Sequence, residues 1–355
     1  MKINTFKILL GSFFLWISFA GYASEKDLEE DKPFDTKELI FHHIKDSHSF
    51  HVVGDFAVPL PVILWTNNGL VTFISSEFHH DIDGKVIVQK GEQKFVNYHE
   101  KIYQLNDGAI KVEFDKEHHP INAERPMDFS ITKNVFSLFL SMIVILLIFL
   151  TAARSYKKSI DGLPTGIGKF LEPIILFIRD EVAIPNIGEH HYKRYMPFLL
   201  TLFFFIWLNN IFGLIPFFPF SSNLSGNIAF TMTLAAITFI ITLFSSKKNY
   251  WKHMLWMPGL PVPMKIFLAP IEFMGMFIKP IALTIRLFAN ITAGHIIVLS
   301  LISLTFIFQN YIVGVGSVVF VVFISVIEVL VVAIQAYIFT MLSALYFGQA
   351  LEEEH

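Results

Sequence analysis

"TIRLFANITAGHIIVLSLISLTFIF" (Thr284–Phe308) decides the fold. It is long and apolar enough to be a bilayer-spanning helix, yet it opens with Arg286 and carries His295. A charge at the centre of a membrane helix costs roughly 2.5–3.5 kcal/mol on insertion scales. An arginine placed there has a task, and the rest of the chain shows what surrounds it.

The 355 residues are 54% hydrophobic and only 16% charged, against about 25% charged in an ordinary soluble domain. The shortage is local. No charged residue occurs from Asn134 to Ala153 or from Tyr195 to Ser246, and from Leu287 to Leu351 Glu328 stands alone among Asp, Glu, Lys and Arg. Crossing the hydrocarbon core takes about 20 residues of helix, so the chain is expected to be a polytopic, all-α membrane protein. With no cysteine, disulfides, thiolate metal sites and cysteine nucleophiles are excluded.

The expected spans are 133–153, 195–217 and 227–245, followed by two long segments, 264–308 and 312–348. At about 1.5 Å per residue the last two are too long to stand upright, so each breaks or both tilt. Because their ends alternate sides, they form an antiparallel hairpin. Segment 165–185 mixes apolar runs with Lys169, Glu172 and Arg179 and is expected to lie at the interface.

Before the first span the composition changes. Residues 1–23 have the form of a signal peptide, with Lys2 and Lys7 flanking an apolar run and small residues at Gly21 and Ala23. Residues 24–128 are polar with alternating apolar stretches, and Asp83-Gly84 and Asp107-Gly108 read as hairpin turns. This is expected to be a small β-rich domain, with the membrane domain occupying 129–355. Nine of the 14 histidines lie in it; no clean ligand spacing joins them, so they read as solvated surface groups and no metal is expected. Basic clusters at Arg154–Lys158, Lys193–Arg194 and Lys247–Lys252 fall on the cytoplasmic side if the β domain is outside and the C-terminus is inside.

On an antiparallel hairpin, stepping from Arg286 to His295 on one helix matches stepping back from Gln335 to Glu328 on the other. His295 therefore faces Glu328 at one depth and Arg286 shares a depth with Gln335. At about 100° per residue, Arg286, Asn290 and Ala293 share one face and His295 points away from it. Glu328, Gln335 and Tyr346 form a stripe. A membrane carboxylate beside a histidine suits a proton relay; Gln335 and Tyr346 also suit interhelical hydrogen bonding. Arginine keeps its proton in any protein environment, so Arg286 is a fixed charge rather than a relay. With no second intramembrane acid nearby, its partner is a carboxylate on another subunit.

"KPIALTIRLFANITAGHI" (Lys279–Ile296) and "IEVLVVAIQAYIFTMLSALYF" (Ile327–Phe347) resemble the two signature segments of subunit a of rotary F-type ATP synthases. "FIWLNNIFGLIP" (Phe205–Pro216), "NIAFTMTLA" (Asn227–Ala235) and Glu272 resemble it as well, so that the likeness runs collinearly over about 129–355. The resemblance implies a stator subunit of the F0 sector whose two aqueous half-channels carry protons to and from the carboxylates of a rotating c-ring. Arg286 would be its essential arginine, blocking leakage. Gln335 and Asn290 would stand near it, Asn210, His295 and Glu328 would line the outer half-channel, and Glu272 would lie toward the inner side, with Tyr346 along the same pathway. It implies the c-ring, peripheral-stalk subunit b and, indirectly, the F1 sector as partners, in a bacterial inner membrane, with no cofactor and no nucleic acid. Many bacterial members carry Glu at the His295 site and His at the Glu328 site; here the carriers are exchanged but the pair is kept. Gly213 replaces an acid found in some members.

Three other readings fit less well. A structural membrane anchor for the β-rich domain leaves Arg286 and the matched depths of His295 and Glu328 unexplained. A secondary transporter using Arg286 for an anionic substrate predicts internal repeats, which are not seen. An ATPase acting alone needs a phosphate loop, and "GLPTGIGKF" (Gly162–Phe170) has the wrong glycine spacing and Phe170 where Ser or Thr is required.

Overall fold

The structure is a computed structural model. It describes residues 45–53, 56–106, 108–109, 111–115, 120–158, 165–215, 218–220, 222–256 and 261–351; the expected signal peptide lies outside them. The chain divides into two compact units, one of residues 1–136 with 217–219 and one of 137–216 with 220–355.

The first unit is built of antiparallel strands. β1 (Ser49–Val53) pairs with β2 (Phe56–Pro59). β3 (Pro61–Thr66), β4 (Gly69–Ile74) and β9 (Met127–Asp128) form a sheet in the order β4-β3-β9. β5 (Asp83–Lys90), β6 (Gln93–Tyr98), β7 (Lys101–Leu105) and β8 (Ala123–Glu124) form another in sequence order. The period-two alternation places Val62 and Leu64 of β3 inward with Phe73, Phe78, Val88, Phe95 and Ile102.

Turn chemistry departs from the sequence reading. Asp83-Gly84 is not a hairpin: it opens β5, at a register irregularity where Gly84 takes φ 75°. The actual β6–β7 turn is His99–Glu100, both left-handed at φ 50° and 64°. That is the conformation Asn-Gly ordinarily supplies, so the sequence carries no signal for it. Of the Asp107-Gly108 pair, Asp107 lies outside the described residues.

The second unit is helical. The helices are α1 (Lys133–Lys158, its first turn belonging to the first unit), α2 (Ile167–Phe177), α3 (Ile184–Ile187), α4 (Tyr192–Leu214), α5 (Ile228–Ser245), α6 (Lys248–Leu255), α7 (Val262–Phe308) and α8 (Tyr311–Leu351). Five of them, α1, α4, α5, α7 and α8, are long and apolar enough to cross a membrane. They match the expected spans to within a few residues, except that α1 runs on through its basic end.

A π-helical stretch, Ile178–Ala183, joins α2 to α3. Its Ile178, Val182 and Ala183 are fully buried, while Arg179 and Asp180 face outward as an ion pair. Segment 165–185 thus also contributes Leu171, Ile178, Val182 and Ala183 to the core.

α7 and α8 form the expected hairpin around Gln309–Asn310, where left-handed Gln309 closes α7 by donating its N–H to the Thr305 carbonyl at 3.1 Å. α7 is unbroken over 47 residues, about 70 Å, despite Pro270 and Pro280. The core lies where α8 meets α4 and the α2–α3 segment: Phe347 is fully buried, stacked on Tyr195 at 4.9 Å and against Phe198 at 5.7 Å. Gly348 lets the helices close here, since a Cβ would collide with the Asn186 carbonyl oxygen. Hydroxyls inside the bundle bond to carbonyls one turn back, as with Thr238, Thr284, Thr340 and Ser343.

Candidate functional site

Three groups of polar side chains lie on α7, α8 and the α4 that packs against α8. Nearest the hairpin turn, His295 Nδ1 lies 3.5 Å from Glu328 Oε1. Glu328 is 7% exposed, and this oxygen has no hydrogen-bond partner within the described residues. The carboxylate is seated against Gly294, where a Cβ would strike Oε1. A carboxylate on a membrane-length helix thus lies in ion-pair reach of an imidazole, its Oε1 without a hydrogen bond among the described residues.

The second group belongs to α4. Buried Asn210 accepts a hydrogen bond from Ser225 Oγ, in a short turn (Leu224–Gly226) that packs on both α4 and α7. Asn210 Nδ2 and Asn209 Oδ1 are buried without partners. Unpaired buried amides in a native bundle call for water.

The third group lies toward the other end of the hairpin. Lys279 Nζ donates to Gln349 Oε1 at 2.8 Å and sits 5.4 Å from the centre of the Tyr346 ring. With Thr238, Thr242, Tyr250 and Met276 they line a narrow crevice of about 10 Å³, about the room one water needs. Glu272 is exposed, within electrostatic reach of Lys279 and Tyr250. Burial, and then the Glu272 charge, push the Tyr250 phenol above its ordinary value. The sequence reading missed Lys279, Gln349 and Gly294. The signal available was a basic residue seven positions, two helical turns, before Arg286 and on the same face.

Between these groups stands Arg286. It is exposed, as are Asn290 and Ala293 on the same face, and among the described residues it has no hydrogen-bond or salt-bridge partner. Tyr346 lies within electrostatic reach of it, whereas Gln335 is buried on α8. The chain therefore presents, on a helix of membrane-spanning length, an unpaired guanidinium with a free face. The expected His295–Glu328 proximity is present, and no Arg286–Gln335 bond is seen.

In the first unit, among the described residues, no cluster of metal-ligating groups occurs. His48 is 5% exposed and its Nε2 lies 3.2 Å from Asp128 Oδ2. Burial raises the Asp128 carboxyl, but hydrogen bonds from His48 and Ser130 outweigh it and hold the group below its ordinary value. Burial pushes Glu100 the other way, up.

The model of the family described as ATP synthase A chain matches residues 135–348. A domain of unknown function, DUF8433, matches residues 39–129. The chain is 42% identical over 264 residues to an ATP synthase subunit a of Chloroherpeton thalassium, covering 71% of this chain and 77% of that one. It is 45% identical to an ATP synthase subunit a 2 of Chlorobaculum tepidum (67% and 68% covered) and 34% identical to an ATP synthase subunit a of Anaeromyxobacter sp. (78% and 71% covered). With the family model spanning more than half of it and the arginine-bearing hairpin in place, the chain belongs to the ATP synthase A chain family.

Proposed function

We propose that Arg286 is the charge against which the carboxylates of a rotating c-ring pass, and that it separates two half-channels running along α7 and α8. Family membership makes this multi-pass chain the proton-channel subunit of the F0 sector, itself no enzyme and associated with the other F0 components. The observation that carries the finer reading is the unpaired, exposed Arg286 beside exposed Asn290 and Ala293. An uncompensated guanidinium in hydrocarbon is costly, and an ionised carboxylate brought to it from a neighbouring subunit removes that cost.

Protons would enter through the polar residues near the hairpin turn, Asn210, His295 and Glu328, and load a ring carboxylate after it leaves Arg286. They would depart through the crevice containing Tyr346, on the Glu272 side. Gln335, buried on α8, would stand near the guanidinium. The hairpin turn then faces outside, the β unit is extracytoplasmic after removal of the leader at 1–23, and the C-terminus is cytoplasmic in a bacterial inner membrane. Subunit b and, indirectly, F1 complete the coupling.

The cysteine-free chain offers a direct test. Asn290→Cys should form disulfides with cysteines placed beside the ring carboxylate in the assembled complex. Ile281→Cys, exposed but nearly opposite on α7, should not. Equal cross-linking at both positions, or none at Asn290, would remove the ring from this face.

A further inference from the structure

The three-stranded sheet of the first unit is largely apolar on its inner face and, Thr72 apart, apolar on its outer face as well. Val62, Leu64 and Phe73 fill the core side. On the opposite side, Trp65 pairs across the ladder with Leu70 on one neighbour and Met127 on the other. All three are more than half exposed, at 57%, 59% and 69%. Ile74 on β4 and Phe129 just beyond β9 extend the patch, at 52% and 62% exposed. Solvated antiparallel sheets ordinarily present polar residues on the outer face, and a contiguous apolar patch marks a contact surface.

We propose that this sheet face rests on the lipid bilayer, with the Trp65, Met127 and Phe129 side chains in the interfacial layer. Two observations favour lipid over a protein partner. Only three residues separate Phe129 from Lys133, where α1 begins, so Phe129 lies within about 14 Å of the start of a membrane-crossing helix by chain reach alone. That start is itself fixed within this unit: Lys133 N–H donates to the Ser47 carbonyl at 2.8 Å and Asn134 N–H to Asp46 Oδ1 at 3.0 Å. The paired row also carries no charge and no directional polar group. Protein interfaces set register with roughly one hydrogen bond per 100–200 Å², whereas a fluid interface asks only for amphipathic and apolar bulk, tryptophan above all.

The test uses the assembled complex in phosphatidylcholine–phosphatidylglycerol vesicles. Leu70→Cys and Met127→Cys carry an environment-sensitive fluorophore, and Ser76→Cys, exposed elsewhere in the unit, is the control. The same labelling on the parent complex gives the background from other subunits. With doxyl-labelled lipid, emission at positions 70 and 127 should be blue-shifted and quenched at least about threefold more than at 76. Water-like, unquenched emission at both overturns the proposal. A blue shift without lipid quenching also overturns it, in favour of a protein contact. Trp65→Ser in the Met127→Cys background should reduce the quenching without loss of the unit, because the side chain leaves the core untouched.

Discussion

A carboxylate buried at the level of a membrane helix is tolerated only with a partner, and Glu328 has two features holding it. His295 stands 3.5 Å away and Gly294 leaves room for its oxygen. If the pair, rather than either position, is the functional unit, exchanging its two carriers should preserve more than changing one. His295→Glu alone would set two carboxylates together, and Glu328→His alone two imidazoles. Each single variant should lose ATP-driven proton pumping by about a hundredfold or more, as expected for an acid–base contribution. The double exchange should recover part of the rate, limited by how an imidazole fits against Gly294. Quinacrine-type acidification of vesicles, normalised to assembled complex, measures this; a double variant no better than either single one would show that the two act separately.

Among the elements, α7 and α8 were the most legible. Their uninterrupted apolar runs dictate long helices, and antiparallel geometry alone brought His295 opposite Glu328. Lys279 was legible only as one letter of a motif: its bond to Gln349 depends on how the helices drift past each other toward their open end. The β elements were less transparent, because His99–Glu100 adopts a turn that neither residue favours, while Asp83-Gly84 carries turn letters and sits in a strand. The π-helical stretch had no signal, since its letters read like those of an ordinary α-helix. The packing of α8 on α4 makes a prediction of its own. Phe347 is fully buried between Tyr195 and Phe198, so Phe347→Ala should destabilise the bundle by about 3–5 kcal/mol. It should appear as loss of assembled F0 at a temperature the parent tolerates; normal assembly and thermal resistance would place this ring outside the stabilising core.

The molecule as a whole joins a strand-built unit to a helical one. The family relation concerns the helical one, and the domain match over residues 39–129 leaves the strand-built one to be explained by its own surface. The membrane-length helices of the second unit are largely apolar outward, and Arg286 on α7 has no hydrogen-bond or salt-bridge partner among the described residues. The central claim is that Arg286 acts as an electrostatic barrier between two water-accessible paths, not as a packing element.

Arg286→Ala, assembled in the full complex and measured for both ATP-driven proton pumping and passive proton leak in vesicles, tests that claim most directly. The account predicts that coupled pumping disappears while passive leak through F0 persists or rises, because the paths remain and the charge between them is gone. Coupled pumping that survives the substitution would contradict it.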